Sequence, residues 1–97
     1  MAVEWGPLGI RVNSVAPGVI DTAEKRNNRG EEWRQAQAMT SPLGRLGVPA
    51  DIGNACVFLA SEASSWVTGV TIPVHGGSYH PIGHSEFFES ARKDRAR

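Results

Sequence analysis

The stretch from Ile10 to Thr22, Ile-Arg-Val-Asn-Ser-Val-Ala-Pro-Gly-Val-Ile-Asp-Thr, carries the most specific chemistry in the chain. Ile10, Val12 and Val15 suit a buried strand, and the run stops at Pro17-Gly18, where proline fixes φ and glycine opens conformations other residues avoid. A short polar rim is then exposed at the strand's carboxyl end, which is where open α/β sheets bind ligands. Backbone amides there can fix a planar ligand without a charge, and a glycine leaves room for it. Taken alone, Pro-Gly is more often an ordinary turn.

Three other groups could carry chemistry. Arg26, Arg29 and Arg34 lie in a polar stretch from Ala23 to Met39, and guanidinium groups bind phosphate bidentately. The same stretch also reads as a solvated surface helix broken at Gly30, since charge runs face water. His80 and His84 are four apart with Glu86 near, a spacing that on a helix would offer both imidazoles to a metal. Pro81 and Gly83 break that helix, so no metal site is expected. Cys56 falls on the apolar stripe Ile52, Ala55, Cys56 and Leu59 with no basic neighbour, and is expected to be an inert buried thiol.

The elements that must hold these groups follow from punctuation and period. Met1 to Trp5 reads as the last turn of a helix, with Gly6 able to take a left-handed cap and Pro7 after it. Residues 8–22 form a strand and its turn, and residues 23–41 a polar, partly helical segment. In residues 42–78 a loop leads to a helix from Pro49, with Asp51 near its positive amino end. That block closes with a strand across Val67 to Val74, placed at a sheet edge because Pro73 lacks a ladder donor. Residues 79–97 form a tail in which Ser85 can cap a short helix through Arg92, with Phe87 and Phe88 docking on the body or a neighbouring subunit.

Ninety-seven residues make one domain at most, with a small core. Ten basic and ten acidic side chains give a formal charge of zero, so nothing points to nucleic acid or an anionic membrane. A single cysteine forms no internal disulfide. No apolar run approaches the ~18 residues of a membrane span, and the first ten residues lack the pattern of a signal peptide.

The chain resembles the short-chain dehydrogenase/reductase family. The likeness rests on Glu4-Trp5-Gly6, Gly9-Ile10-Arg11-Val12-Asn13, Pro17-Gly18-x-Ile20-x-Thr22, Pro42-Leu43-x-Arg45-x-Gly47, Phe58-Leu59-Ala60-Ser61, Thr68-Gly69 and Gly76-Gly77, all in the family's order from Ala2 to about Ser78. In wording and spacing it looks closest to the 2,4-dienoyl-CoA and enoyl-CoA reductases. His75 departs from the family, which usually has aspartate before its Gly-Gly pair.

The resemblance implies an α/β fold, the carboxyl-terminal part of a Rossmann-like doubly wound parallel sheet: its last two strands with flanking helices, without the amino-terminal half. It implies that Pro17 and Gly18 pass close under a nicotinamide ring, that backbone groups of Val19 and Ile20 bind its carboxamide, and that Thr22 adds a hydroxyl contact. It makes residues 23–41 a substrate lid, with Arg26, Arg29 and Arg34 toward the phosphates of an acyl-CoA. The cofactor is NADP(H) in preference to NAD(H), the partner a small-molecule or acyl-CoA substrate, and the parent a homo-oligomer, dimer or tetramer.

The family's catalytic Tyr-x-x-x-Lys pair is not in these residues. Tyr79, the only tyrosine, has Gly83 four residues on, and the lysines are Lys25 and Lys93. The family's glycine-rich phosphate turn is missing too. The sequence therefore reads as a carboxyl-terminal piece of an oxidoreductase, or a reading frame begun at an internal methionine, and as inactive in isolation. Alternatives are a 3-oxoacyl, sugar or steroid alcohol dehydrogenase, or a non-enzymatic product that associates with a full-length relative. An intracellular protein is implied, with cytoplasm, peroxisome and mitochondrion undistinguished.

Overall fold

A computed structural model describes residues 1–78, except the side chain of Arg26. Tyr79, the expected break between His80 and His84, and the Ser85-capped helix with Phe87 and Phe88 lie outside the described residues. Contacts divide the chain into two compact units. The first holds Met1–Pro17 and Ala50–Val74; the second holds Gly18–Pro49 with, among the described residues, 75–78.

In the first unit, helix α1 (Ala2–Trp5) runs into a 3-10 turn, Gly6–Leu8, that ends at Gly9. The left-handed cap expected at Gly6 is at Gly9, with φ of 78°, while Gly6 is right-handed at φ −52°. Pro7 explains the shift. A proline is tolerated in the first turn, where its missing N–H is not needed, so the helical path continues one turn further.

Strand β1 (Ser14–Pro17) pairs in parallel with β2 (Thr71–Val74), in the register Ser14 to Thr71 through Pro17 to Val74. Both are shorter than the sequence suggests, and Ile10 is 45% exposed outside the ladder. The cause lies at Asn13. Its Nδ2 donates to the Val67 carbonyl at 3.0 Å and its Oδ1 accepts from Val70 N at 3.2 Å, so a side-chain amide stands where backbone rungs would otherwise continue. Gly69, at φ 74°, turns the partner segment at that point.

Helix α4 (Pro49–Ala60) starts at proline with Asp51 in its first turn, as the capping chemistry predicts. Its carboxyl end is closed by three side chains. Arg11 Nη2 donates to the Leu59 carbonyl at 2.8 Å, Ser64 Oγ donates to the same carbonyl at 3.0 Å, and Ser61 Oγ donates to the Phe58 carbonyl at 2.8 Å. The last carbonyls of a helix have no partner within it, and a cation there also meets the negative end of the dipole.

The expected apolar stripe is only half covered. Ile52, Ala55 and Leu59 are intermediate, whereas Cys56 is exposed, which corrects the expectation of a buried thiol. Among the described residues no hydrophobic side chain is fully buried. Two strands with short helices supply too few layers to seal a sheet on both faces.

In the second unit, α2 (Ala23–Asn28) and α3 (Glu31–Met39) are separated at Gly30, the N-cap of α3. A loop, residues 40–48, returns the chain to α4. No helix among the described residues is long and apolar enough to cross a membrane.

Candidate functional site

The turn after β1 is organised by one glycine of the returning loop. Gly47 donates its amide to the Val19 carbonyl at 3.0 Å and accepts the Asp21 amide on its own carbonyl at 2.7 Å, making a parallel bridge to Ile20. All peptide bonds here are trans. In a trans peptide the C=O and the N–H point in opposite directions. Since the Val19 carbonyl and Asp21 amide both face Gly47, the Ile20 amide and carbonyl both face away from it. Neither has a hydrogen-bond partner among the described residues. One donor and one acceptor of a single residue, on the same side, match the pattern of a primary carboxamide.

Each expected site residue has a definite place. Pro17 closes β1 in the first unit, and Gly18 opens the second. Val19 commits its carbonyl to Gly47, so of the two backbone positions expected to meet a carboxamide, Ile20 is the one left with both groups to offer. Thr22 is the N-cap of α2, where its Oγ1 accepts from Lys25 N at 3.3 Å. That capping bond uses an acceptor lone pair, and the hydroxyl proton stays available as a donor.

The three arginines separate. Arg29 lies on the face of Trp33, its guanidinium carbon 5.1 Å from the ring centroid, beside a recess lined by Glu24, Lys25, Asn28, Arg29 and Trp33. The side chain of Arg26 is outside the described part. Arg34 is not free for phosphate, which corrects that expectation: it donates from Nη2 to Asp21 Oδ2 at 2.7 Å and from Nη1 to Glu31 Oε2 at 2.6 Å. Hydrogen bonding to Asp21 is the largest of the influences that hold its pKa above the usual guanidinium range. The Arg34 Nε is buried with no partner among the described residues.

Two participants were missed by the sequence reading, Gly47 and the Asp21–Arg34 pair. Asp21 is 9% exposed, and the signal for it was a carboxylate placed between Ile20 and Thr22 that composition alone would send to solvent. Among the described residues no cluster of three or more His, Cys, Asp or Glu could hold a metal ion.

Residues 1–79 match the family described as Enoyl-(Acyl carrier protein) reductase. The peroxisomal 2,4-dienoyl-CoA reductase of Saccharomyces cerevisiae is 43% identical over 97 residues, covering 96% of this chain and 33% of that protein. The 2-dehydro-3-deoxy-D-gluconate 5-dehydrogenase of Escherichia coli is 45% identical over 78 residues, covering 79% of this chain and 31% of that protein. The crystal structure of 3-oxoacyl-(acyl-carrier protein) reductase from Brucella melitensis superposes with a TM-score of 0.74 at 41% identity, covering 82% of this chain and 30% of that one. The chain thus spans about one third of the length of these relatives. With a parallel β1–β2 pair ending in Pro-Gly, flanking helices and this breadth of likeness, the chain belongs to the short-chain dehydrogenase/reductase family of oxidoreductases, and its fold is part of their Rossmann-type α/β architecture.

Proposed function

We propose that the chain is the nicotinamide-side part of an oxidoreductase that reduces a 2,4-dienoyl-CoA or enoyl-CoA with NADPH. The observation that carries this reading is the outward pair at Ile20, a backbone donor and acceptor with no protein partner among the described residues, held in place by Gly47 on the opposite side. It fits a carboxamide and leaves its ring no freedom to turn over. Pro17 and Gly18 bring the backbone close to the ring, Val19 shapes the turn, and Thr22 offers its hydroxyl proton.

When bound, the nicotinamide supplies a hydride. The residues of this chain orient and bind. Arg29, the C-cap of α2 already lying over Trp33, and Arg26 within α2 are assigned by this reading to the phosphates of the acyl-CoA, with α2 and α3 as the lid over the substrate. No Tyr-x-x-x-Lys pair occurs in these 97 residues, so on this reading the proton donor is supplied from elsewhere and the isolated chain is expected to be inactive. Coenzyme A chemistry is supported by the yeast relative, and an alcohol or carbonyl substrate by the gluconate dehydrogenase relative.

The test is the oxidation of NADPH and of NADH by the protein as its source cells make it, with a 2,4-dienoyl thioester, an enoyl thioester and a 3-oxoacyl thioester offered in turn. Turnover of the dienoyl or enoyl thioester with NADPH supports the reading. Turnover of the 3-oxoacyl thioester alone replaces the substrate and keeps the cofactor site. Loss of dinucleotide binding in Ile20→Pro, which takes away the outward N–H and also fixes φ at residue 20, ties that amide to the ring when the Asp21 amide keeps its exchange protection from Gly47.

A further inference from the structure

We infer that the Asp21–Arg34 ion pair is a positioning device that locks the cofactor turn to helix α3, so that dinucleotide binding and the order of the α2–α3 segment are coupled through Arg34. The inference rests on the reading that Ile20 receives a nicotinamide carboxamide, and it assigns a role to a residue that touches no cofactor.

The argument begins with the peptide between Ile20 and Asp21. Its carbonyl is the outward acceptor, and its N–H is bonded to the Gly47 carbonyl at 2.7 Å. Any rotation of Asp21 about its backbone turns that acceptor. The Asp21 side chain is therefore the natural handle on the ligand-facing group, and it is anchored: it is 9% exposed and meets Arg34 Nη2 at 2.7 Å, thirteen residues away in α3. Arg34 is itself held by Glu31 one helical turn before it. Removing Arg34 takes one charged anchor from a nearly buried carboxylate, which shifts the balance toward orientations that face water. That shift runs through the backbone of the turn.

The pair is not arranged for stability alone. Arg34 keeps one buried donor, Nε, without a partner among the described residues, and an unmet buried N–H is a cost. A lysine at this place would satisfy Asp21 with a single point contact and leave no such orphan. What arginine adds is the planar fork, with one arm on Asp21 and one on Glu31, which fixes the angle between the turn and α3 as well as their distance.

The experiment compares two ligands on the native protein: the reduced dinucleotide, and the matching ADP-ribose, which has no nicotinamide. In Arg34→Gln the dinucleotide should lose about fivefold or more in affinity, the range of a typical coupling, while ADP-ribose is unchanged. Arg34→Lys should fall between the two. Equal losses for both ligands would mean a merely structural role, and no loss for either would mean no coupling; both overturn the inference. If the native protein binds neither ligand, the cofactor reading fails instead, and the lock is judged by amide exchange. Faster exchange at Asp21 and Gly47 in Arg34→Gln then sustains it, and unchanged exchange overturns it.

Discussion

Arg11 Nη1 lies 3.1 Å from the Oγ of Ser64, a side chain with no exposed surface, and both reach the Leu59 carbonyl at the end of α4. Arg11 also donates to the Val67 carbonyl at 3.1 Å, so one guanidinium ties the segment before β1 to both the end of α4 and the approach to β2. In a unit with no fully buried hydrophobic side chain, this polar junction holds what a core would otherwise hold.

Arg11→Met is therefore expected to cost about 2–3 kcal/mol of unfolding free energy, since hydrogen bonds to a charged group are among the stronger ones. Ser64→Ala should cost about 1–2 kcal/mol. Because the two share Leu59, the double variant should lose less than the sum. Urea unfolding of the four proteins decides this, and strict additivity would mean that the two side chains do not act as one junction.

A second prediction concerns glycines that look alike in sequence and differ in space. Gly77 sits at φ 88°, and a Cβ there would lie 2.7 Å from Pro42 Cγ. Gly53 is inside α4 with nothing within 4 Å of an added Cβ. Gly77→Ala should destabilise by about 2–4 kcal/mol from strain and overlap, whereas Gly53→Ala should stabilise by about 0.5–1 kcal/mol. Thermal melts of the two variants should move in opposite directions. A shift of the same sign in both would contradict the local geometry.

The contrast between those glycines shows what a sequence carries and what it withholds. Local punctuation was legible: Pro49 opened α4, Gly30 divided α2 from α3, and Pro17 closed β1. The α/β class and the family followed from motifs in order. What could not be read was decided between distant residues. Asn13 trimmed both strands by taking backbone partners 54 and 57 residues away, and no period in the sequence encodes that. Arg34 looked like a surface cation because its partner, Asp21, is nearly a helix length away in sequence. Cys56 followed the helical period, but a stripe is buried only where another layer covers it.

His75 yields a third prediction. Its Nδ1 accepts from Gly77 N at 2.9 Å and Ser78 N at 3.0 Å, so the imidazole closes the glycine turn as an acceptor. An aspartate at this place would offer a carboxylate to the same two amides. His75→Asp should therefore hold stability within about 0.5 kcal/mol, while His75→Ala, which removes the Nδ1 acceptor from both amides and leaves Ser78 N its bond to the residue 75 carbonyl at 3.2 Å, should cost about 1 kcal/mol. Equal losses in the two variants, read by urea midpoint, would mean that the imidazole ring matters here for its packing and not for Nδ1.

The last prediction separates the two arms of Arg34 by salt and by pH. Its pKa is held above the ordinary guanidinium range, chiefly by the hydrogen bond to Asp21. A raised pKa contributes stability that is complete below the unfolded value and is lost only as pH climbs through the raised one, far into the alkaline range. Titration of Arg34 should therefore leave stability flat across about pH 6 to 9. Salt should discriminate where pH does not. Glu31 is 66% exposed at its side chain and Asp21 only 10%, so screening reaches the first arm and largely spares the second. Double-variant cycles at about 0.05 M and 1 M salt should show the Arg34–Glu31 coupling vanishing while the Arg34–Asp21 coupling persists. The reverse order would mean that the buried arm is not the one that holds the turn.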